Sequence, residues 1–142
     1  MKRPRTFIPL IMYHYSNIIL AEDDEDDLFL FQQALNKLFP GGTFTHAKDG
    51  EELMSILPEN VSKETILFLD INMPRKNGLE CLQELRTQRL YTKLPVIIIS
   101  THKDTQIMEH AYSIGANFYM AKAVDFNKFI RDIKTIISTQ WI

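Results

Sequence analysis

Stretches that read as strands alternate with stretches that read as helices five times along the chain. Asn17 to Ala21 is the first strand, and Thr43 to Ala47 a short second one. Thr65 to Asp70 and Pro95 to Ser100 are the third and fourth. In both, apolar residues follow one another with no polar alternation. Such runs suit strands covered on both faces, as in a parallel sheet. Asn117 to Ala121 is the fifth. Between them, Leu28, Phe31, Leu35 and Leu38 recur at helical spacing up to Pro40-Gly41-Gly42. Asp49-Gly50 opens a helix carrying Leu53, Ile56 and Leu57 that stops near Pro58. Gly78 precedes one with Leu79, Leu82 and Leu85. A fourth starts near Asp104, carries Ile107, Met108 and Ala111, and has Gly115 as a left-handed stop. Phe126, Phe129, Ile130, Ile133, Ile136 and Ile137 stripe the last.

Alternation of this kind predicts an α/β fold: a five-stranded parallel sheet, doubly wound, with right-handed crossovers and helices on both faces. Ligands of such sheets bind at the carboxyl ends of the strands. Four strand ends carry chemistry there: Glu22-Asp23-Asp24 after the first, Asp70 after the third, Ser100 after the fourth and Lys122 after the fifth. Clustered carboxylates repel one another unless a cation joins them. One or two carboxylates with waters and a phosphate is the Mg²⁺ pattern. A lysine and a hydroxyl aimed at the same place supply a charge and a hydrogen bond for phosphoryl oxygens. A carboxylate beside such a cation can itself be the nucleophile, giving an aspartyl phosphate.

Composition narrows the setting. A chain of 142 residues, 45% hydrophobic, suits one folded domain. A formal net charge of −2 gives no nucleic-acid footprint. The single cysteine, Cys81, excludes a disulfide framework and a cysteine-based metal site, and it fits a reducing cytoplasm. No apolar run approaches the roughly 18 to 20 residues of a membrane-spanning helix. Met1 to Arg5 is basic and Phe7 to Tyr13 fairly apolar, but the apolar part is short, holds Pro9 and lacks a small-residue cleavage site. Residues 1–16 therefore read as an N-terminal extension, with Met12 a second candidate start, and 17–142 as the domain.

The blocks Ala21-Glu22-Asp23-Asp24, Leu69-Asp70-Ile71-Asn72-Met73-Pro74-Arg75-Lys76-Asn77-Gly78, Leu94-Pro95-Val96 through Ser100, and Gly115-Ala116-Asn117-Phe118-Tyr119-Met120-Ala121-Lys122 together resemble the response-regulator receiver domain. The likeness runs from about Asn17 to Ser138 and implies the flavodoxin-like receiver fold. It also implies that Asp70 is the phosphoacceptor. Asp23 and Asp70 would then bind Mg²⁺ by side chain, Asn72 by its backbone carbonyl and Glu22 through water. Ser100 and Lys122 would hold the phosphoryl group, and Tyr119 would turn inward as Ser100 moves. The implied function is a two-component switch. A histidine kinase or phosphotransfer protein would supply the phosphoryl group, and a protein contact, self-association included, would be the output. Ala111-Tyr112, Val124-Asp125-Phe126, Phe129 and Trp141 are similar to single-domain regulators partnered with bacterial phytochrome kinases. One departure stands out: the family places a cis-bonded proline after the lysine, where this chain has Ala123. A non-proline cis bond costs roughly 2.5–4 kcal/mol, so that bond is either strained or trans.

Duller readings compete at several positions. Glu25, Asp26 and Asp27 read as capping or solvated, Asp26 or Asp27 being the expected helix cap. Asp24 is a bystander or a ligand, Tyr119 packing or switch, and Cys81 packing. No histidine pair has metal spacing, although His102, two residues past Ser100, lies at a position that in the family tunes dephosphorylation. Two rival functions remain. One is a degenerate receiver that binds without phosphorylation. The other is an aspartate-nucleophile phosphatase, which would want an acid where Asn72 stands.

Overall fold

The computed structural model describes residues 13–38, 41–101, 103–122 and 124–141. Five strands, β1 (Asn17–Ala21), β2 (Thr43–Ala47), β3 (Thr65–Asp70), β4 (Val96–Ser100) and β5 (Phe118–Ala121), form one sheet in the order β2-β1-β3-β4-β5. All four pairings are parallel. Helices α1 (Glu25–Leu38), α2 (Gly50–Ile56), α3 (Gly78–Arg86), α4 (Thr105–Ser113) and α5 (Phe126–Ser138) fill the crossovers. This is the doubly wound architecture that the alternation predicts.

Strand alternation divides the core in two. Ile18, Leu20, Ile66, Phe68, Ile97, Ile99 and Met120 face α1 and α5. There Phe31 meets Phe68 and Phe129 edge-on, with ring centroids 5.0 and 6.0 Å apart. Ile19, Leu67, Leu69, Ile98 and Tyr119 pack with the buried faces of α2, α3 and α4. Every residue of β3 and β4 is buried, which is why neither strand alternates in the sequence.

Ends differ from expectation where hydrogen bonding dictates it. β4 begins at Val96 rather than Pro95, because a proline has no N–H for the ladder; its carbonyl still accepts from the Leu67 N–H at 2.9 Å. β5 begins one residue past Asn117, whose side chain accepts from the Val96 N–H at 2.8 Å. Gly78 is the first residue of α3, not the one before it. Asn77 caps that helix through a reciprocal pair with Glu80. The cap of α1 is Asp24, not Asp26 or Asp27: its Oδ1 accepts from the N–H groups of Asp26 at 2.8 Å and Asp27 at 3.2 Å. The apolar stripe begins only at Leu28, so it gives no sign that the helix starts three residues earlier. The described part of the leader is tied down. Tyr15 is buried beside α5, the His14 N–H donates to the Ile137 carbonyl at 3.0 Å, and the Tyr15 hydroxyl accepts from the Trp141 N–H at 2.8 Å.

Candidate functional site

The parallel register aligns the strand ends. Ala21 pairs with Leu69, so Glu22 and Asp70 leave the sheet side by side. Asp70 pairs with Ile99 and Ser100 with Ala121, which brings Ser100 and Lys122 to the same edge; the Lys122 N–H donates to the Ser100 carbonyl at 2.9 Å. Glu22, Asp70 and Ser100 are all buried. One oxygen from each of Glu22, Asp23 and Asp70 falls within 4.8 Å of the others.

Buried carboxylates this close have two ways to avoid repulsion, a bound cation or a retained proton. Burial, then the charge and hydrogen bond of Asp70, push Glu22 from its ordinary value up to about 8. Burial also raises Asp70, against the opposing pull of Glu22's hydrogen bond and the Lys122 ammonium. Hard oxygen donors, partly buried and short of counter-charge, fit a divalent cation of the Mg²⁺ type. Lys122 is the nearby positive charge. Its ammonium lies 2.7 Å from Asp27, 3.2 Å from Glu22 and 3.6 Å from Asp70. Burial alone would lower its pKa, but these three acids outweigh burial and raise it.

Backbone geometry holds the loops. The Glu22 carbonyl contacts His46 Nε2 at 2.7 Å, fixing the turn after β1. After β3, the Asn72 N–H lies 3.4 Å from Asp70 Oδ1, and Gly78 closes the loop by donating to the Ile71 carbonyl at 2.9 Å. A Cβ at Gly78 would sit 2.2 Å from the Asp70 carbonyl oxygen. The first turn of α3 thus presses on the backbone of Asp70, which explains glycine eight residues after it. Within the loop, Arg75 takes a positive φ of 66° and forms an ion pair with Asp49 at 3.0 Å. Asp49 also caps α2, and the Glu52 N–H together with Arg75 hold its carboxyl below the usual range.

Glu22, Asp23, Asp70 and Lys122 therefore come together, with Ser100 at the same sheet edge. Tyr119 is buried on the α2–α4 side, its N–H bonded to the Tyr112 hydroxyl at 3.0 Å. Cys81 is packed, and burial pushes its thiol up to about 11. His102, the geometry of the Lys122–Ala123 bond and Pro40 lie outside the described residues. Three contacts escape sequence reading. Asp27 binds Lys122 instead of being solvated, Arg75 binds Asp49, and His46 braces Glu22. The first joins residues 95 apart in the chain, and no local pattern announces it.

Strand order 2-1-3-4-5, with acids gathered where the order reverses between β1 and β3, defines a flavodoxin-like α/β protein with an acidic cluster at its topological switch point, where such folds bind ligands. The family model of the response regulator receiver domain matches residues 18–134. The chain belongs to that family, the receivers of two-component signalling.

Stand-alone phytochrome-associated regulators are among its relatives. Response regulator Rcp1 of Synechocystis sp. is 25% identical over 126 residues, 85% of this chain and 86% of that protein. The solved Mn²⁺-bound form of Rcp1 has the same fold, with a TM-score of 0.77 over 89% of this chain and 99% of that one at 23% identity. The phosphorylated cyanobacterial phytochrome response regulator RcpA superposes with a TM-score of 0.77 at 28% identity, covering 86% of this chain and 91% of its own. The bacteriophytochrome response regulator AtBRR gives 0.70 at 27% identity, with coverages of 90% and 96%. Among the described residues no helix is long and apolar enough to cross a membrane.

Proposed function

We propose that this receiver takes a phosphoryl group on Asp70 from a histidine kinase or phosphotransfer protein. The observation that carries the reading is the convergence of Glu22, Asp23, Asp70 and Lys122 at the strand ends. An Asp70 oxygen attacks the phosphorus of a phosphohistidine or acyl phosphate. The new O–P bond forms as the donor's P–N or P–O bond breaks, and its electron pair leaves with the donor. Glu22, Asp23 and Asp70, with the Asn72 carbonyl, are the residues that would hold Mg²⁺, Glu22 through water. The ion would offset charge on the phosphoryl oxygens. Lys122 supplies a fixed positive charge to the same oxygens, and Ser100 a hydroxyl donor. Asp70 and Ser100, being buried, exclude most water.

Tyr119 and Ser100 are the switch pair of this reading, and Tyr119 is already inside the core from which such a motion would be read. The output is a protein contact, a second copy of the chain included, and a cytoplasmic setting belongs to the same reading. RcpA has been solved phosphorylated and AtBRR is a bacteriophytochrome regulator, which supports a phytochrome-type kinase as donor. Asn72 in place of a second acid argues against turnover of a separate substrate.

Acetyl phosphate with and without Mg²⁺, read on a phosphate-affinity gel beside Asp70→Asn, tests the proposal. A Mg²⁺-dependent shifted band lost in Asp70→Asn is expected. Failure of the wild type both to shift and to bind beryllofluoride would leave the degenerate-receiver reading.

A further inference from the structure

The Lys122 ammonium sits nearer to a carboxylate outside the site than to any within it: 2.7 Å from Asp27, against 3.2 Å from Glu22 and 3.6 Å from Asp70. Asp27 is the third residue of α1. A carboxylate there ordinarily turns back to the N–H of the capping residue and completes a capping box. That duty is filled by another group, because the Asp24 N–H donates to Glu22 Oε2 at 3.2 Å. Asp24 in turn satisfies the N–H of Asp27 itself. The Asp27 side chain reaches across to the loop after β5 instead. Strand alternation favours the meeting, since Met120 faces α1 and α5 and Lys122 follows it by two. Beneath the pair lies a cavity of about 110 Å³ walled by Leu20, Phe31, Ile99 and Phe129, so one side of the contact is apolar. The side chain of Lys122 is only 17% exposed, that of Asp27 35%.

Resting on the phosphoacceptor reading, we propose that Asp27 is a positioning residue that holds Lys122 toward α1 in competition with the group bound on Asp70. A phosphoryl group adds negative charge at Asp70 and draws the same ammonium. The ammonium has a short flexible reach, so each step toward Asp70 lengthens its contact with Asp27. The Asp27 contact therefore stabilises the unmodified state relative to the phosphorylated one. A pair of this exposure is worth roughly a two- to fivefold change in an equilibrium. Asp27 thus sets how firmly the modified site is held and how long the phosphoryl group lasts.

Titration calorimetry of beryllofluoride in excess Mg²⁺ reads the competition. Asp27→Asn should bind roughly two- to fivefold more tightly than wild type, and Asp27→Glu should lie near wild type. In a Lys122→Met background, Asp27→Asn should change nothing, because its target is gone. A purely structural role for Asp27 would shift affinity in both backgrounds, and melting curves of each variant report any loss of fold. Affinity in Asp27→Asn equal to or weaker than wild type overturns the proposal, as does an equal effect in both backgrounds. Wild-type protein that takes up neither beryllofluoride nor phosphoryl group overturns the phosphoacceptor reading and this one with it.

Discussion

The two ends of the sheet bury polar groups in opposite ways. At the amino end, the hydrogen-bond acceptors are neutral. Asn17 Nδ2 donates to the Asn60 carbonyl at 2.6 Å and to Thr65 Oγ1 at 2.7 Å, and the Ser62 N–H donates to the same hydroxyl at 2.8 Å. Arg86 spreads its guanidinium over the Gly115 and Tyr91 carbonyls and Asn117 Oδ1, within 2.7–3.1 Å. At the carboxyl end, Glu22, Asp23 and Asp70 crowd together, and Glu22, Asp70 and neighbouring Asp27 share one ammonium. One end fastens the fold. The other keeps negative charge in excess, and that excess is what a cation can exploit. Stability and function are thus divided along the strands of a single sheet.

The division predicts effects of different size and sign. Gly78→Ala should be the most damaging change. Its Cβ would meet the Asp70 carbonyl oxygen at 2.2 Å and backbone must move, at a cost of about 3 kcal/mol, checked by urea unfolding. Next comes Arg86→Ala at the opposite end. It strips bonds from the Gly115 and Tyr91 carbonyls and should cost about 2 kcal/mol in the same assay, with beryllofluoride affinity little altered.

The sharpest test exchanges one polar group for a neutral isostere at each end. Thr65→Val should destabilise by about 1 kcal/mol, because the Ser62 N–H and Asn17 lose their acceptor. Asp70→Asn, measured in chelator, should stabilise, because it removes a charge that burial, chiefly, and Asp23 oppose. Equal signs at the two ends would break the comparison.

The remaining effect is on pH. Folded Glu22 keeps its proton up to about 8, whereas unfolding returns it to its ordinary value near 4.5. Between those values the folded state binds more protons, so stability falls as pH rises through this window and is greatest below it. Melting temperature in chelator should therefore decline from about pH 5 to 8. Glu22→Gln should flatten that decline, and a divalent cation should reduce it.

Much of this was legible beforehand, and the physical reasons differ by element. β1, β2 and β3 have the bounds the sequence predicts, and for β1 and β3 the reason is that a buried run is ended by its first carboxylate. Glu22, Asp70, Ser100 and Lys122 were legible for the same reason. The start of α1 was not, since a run of six acids offers several caps of equal chemistry and only backbone geometry selects Asp24. Asp27 on Lys122 was hidden because it joins distant elements. So was Arg75 on Asp49, because a positive φ outside glycine leaves no compositional trace.

Alternation along β5 also bears on how such a chain can change over generations. Met120 faces one layer of helices and Tyr119 the other, while Lys122 follows Met120 by two. Removing a single residue between Tyr119 and Lys122 would carry the ammonium to the face that holds the phenol. The site would then lose its cation and the opposite layer would gain an unpaired charge. Insertions and deletions should therefore accumulate in the loops and be purged from this four-residue strand, whatever the length of the chain around it.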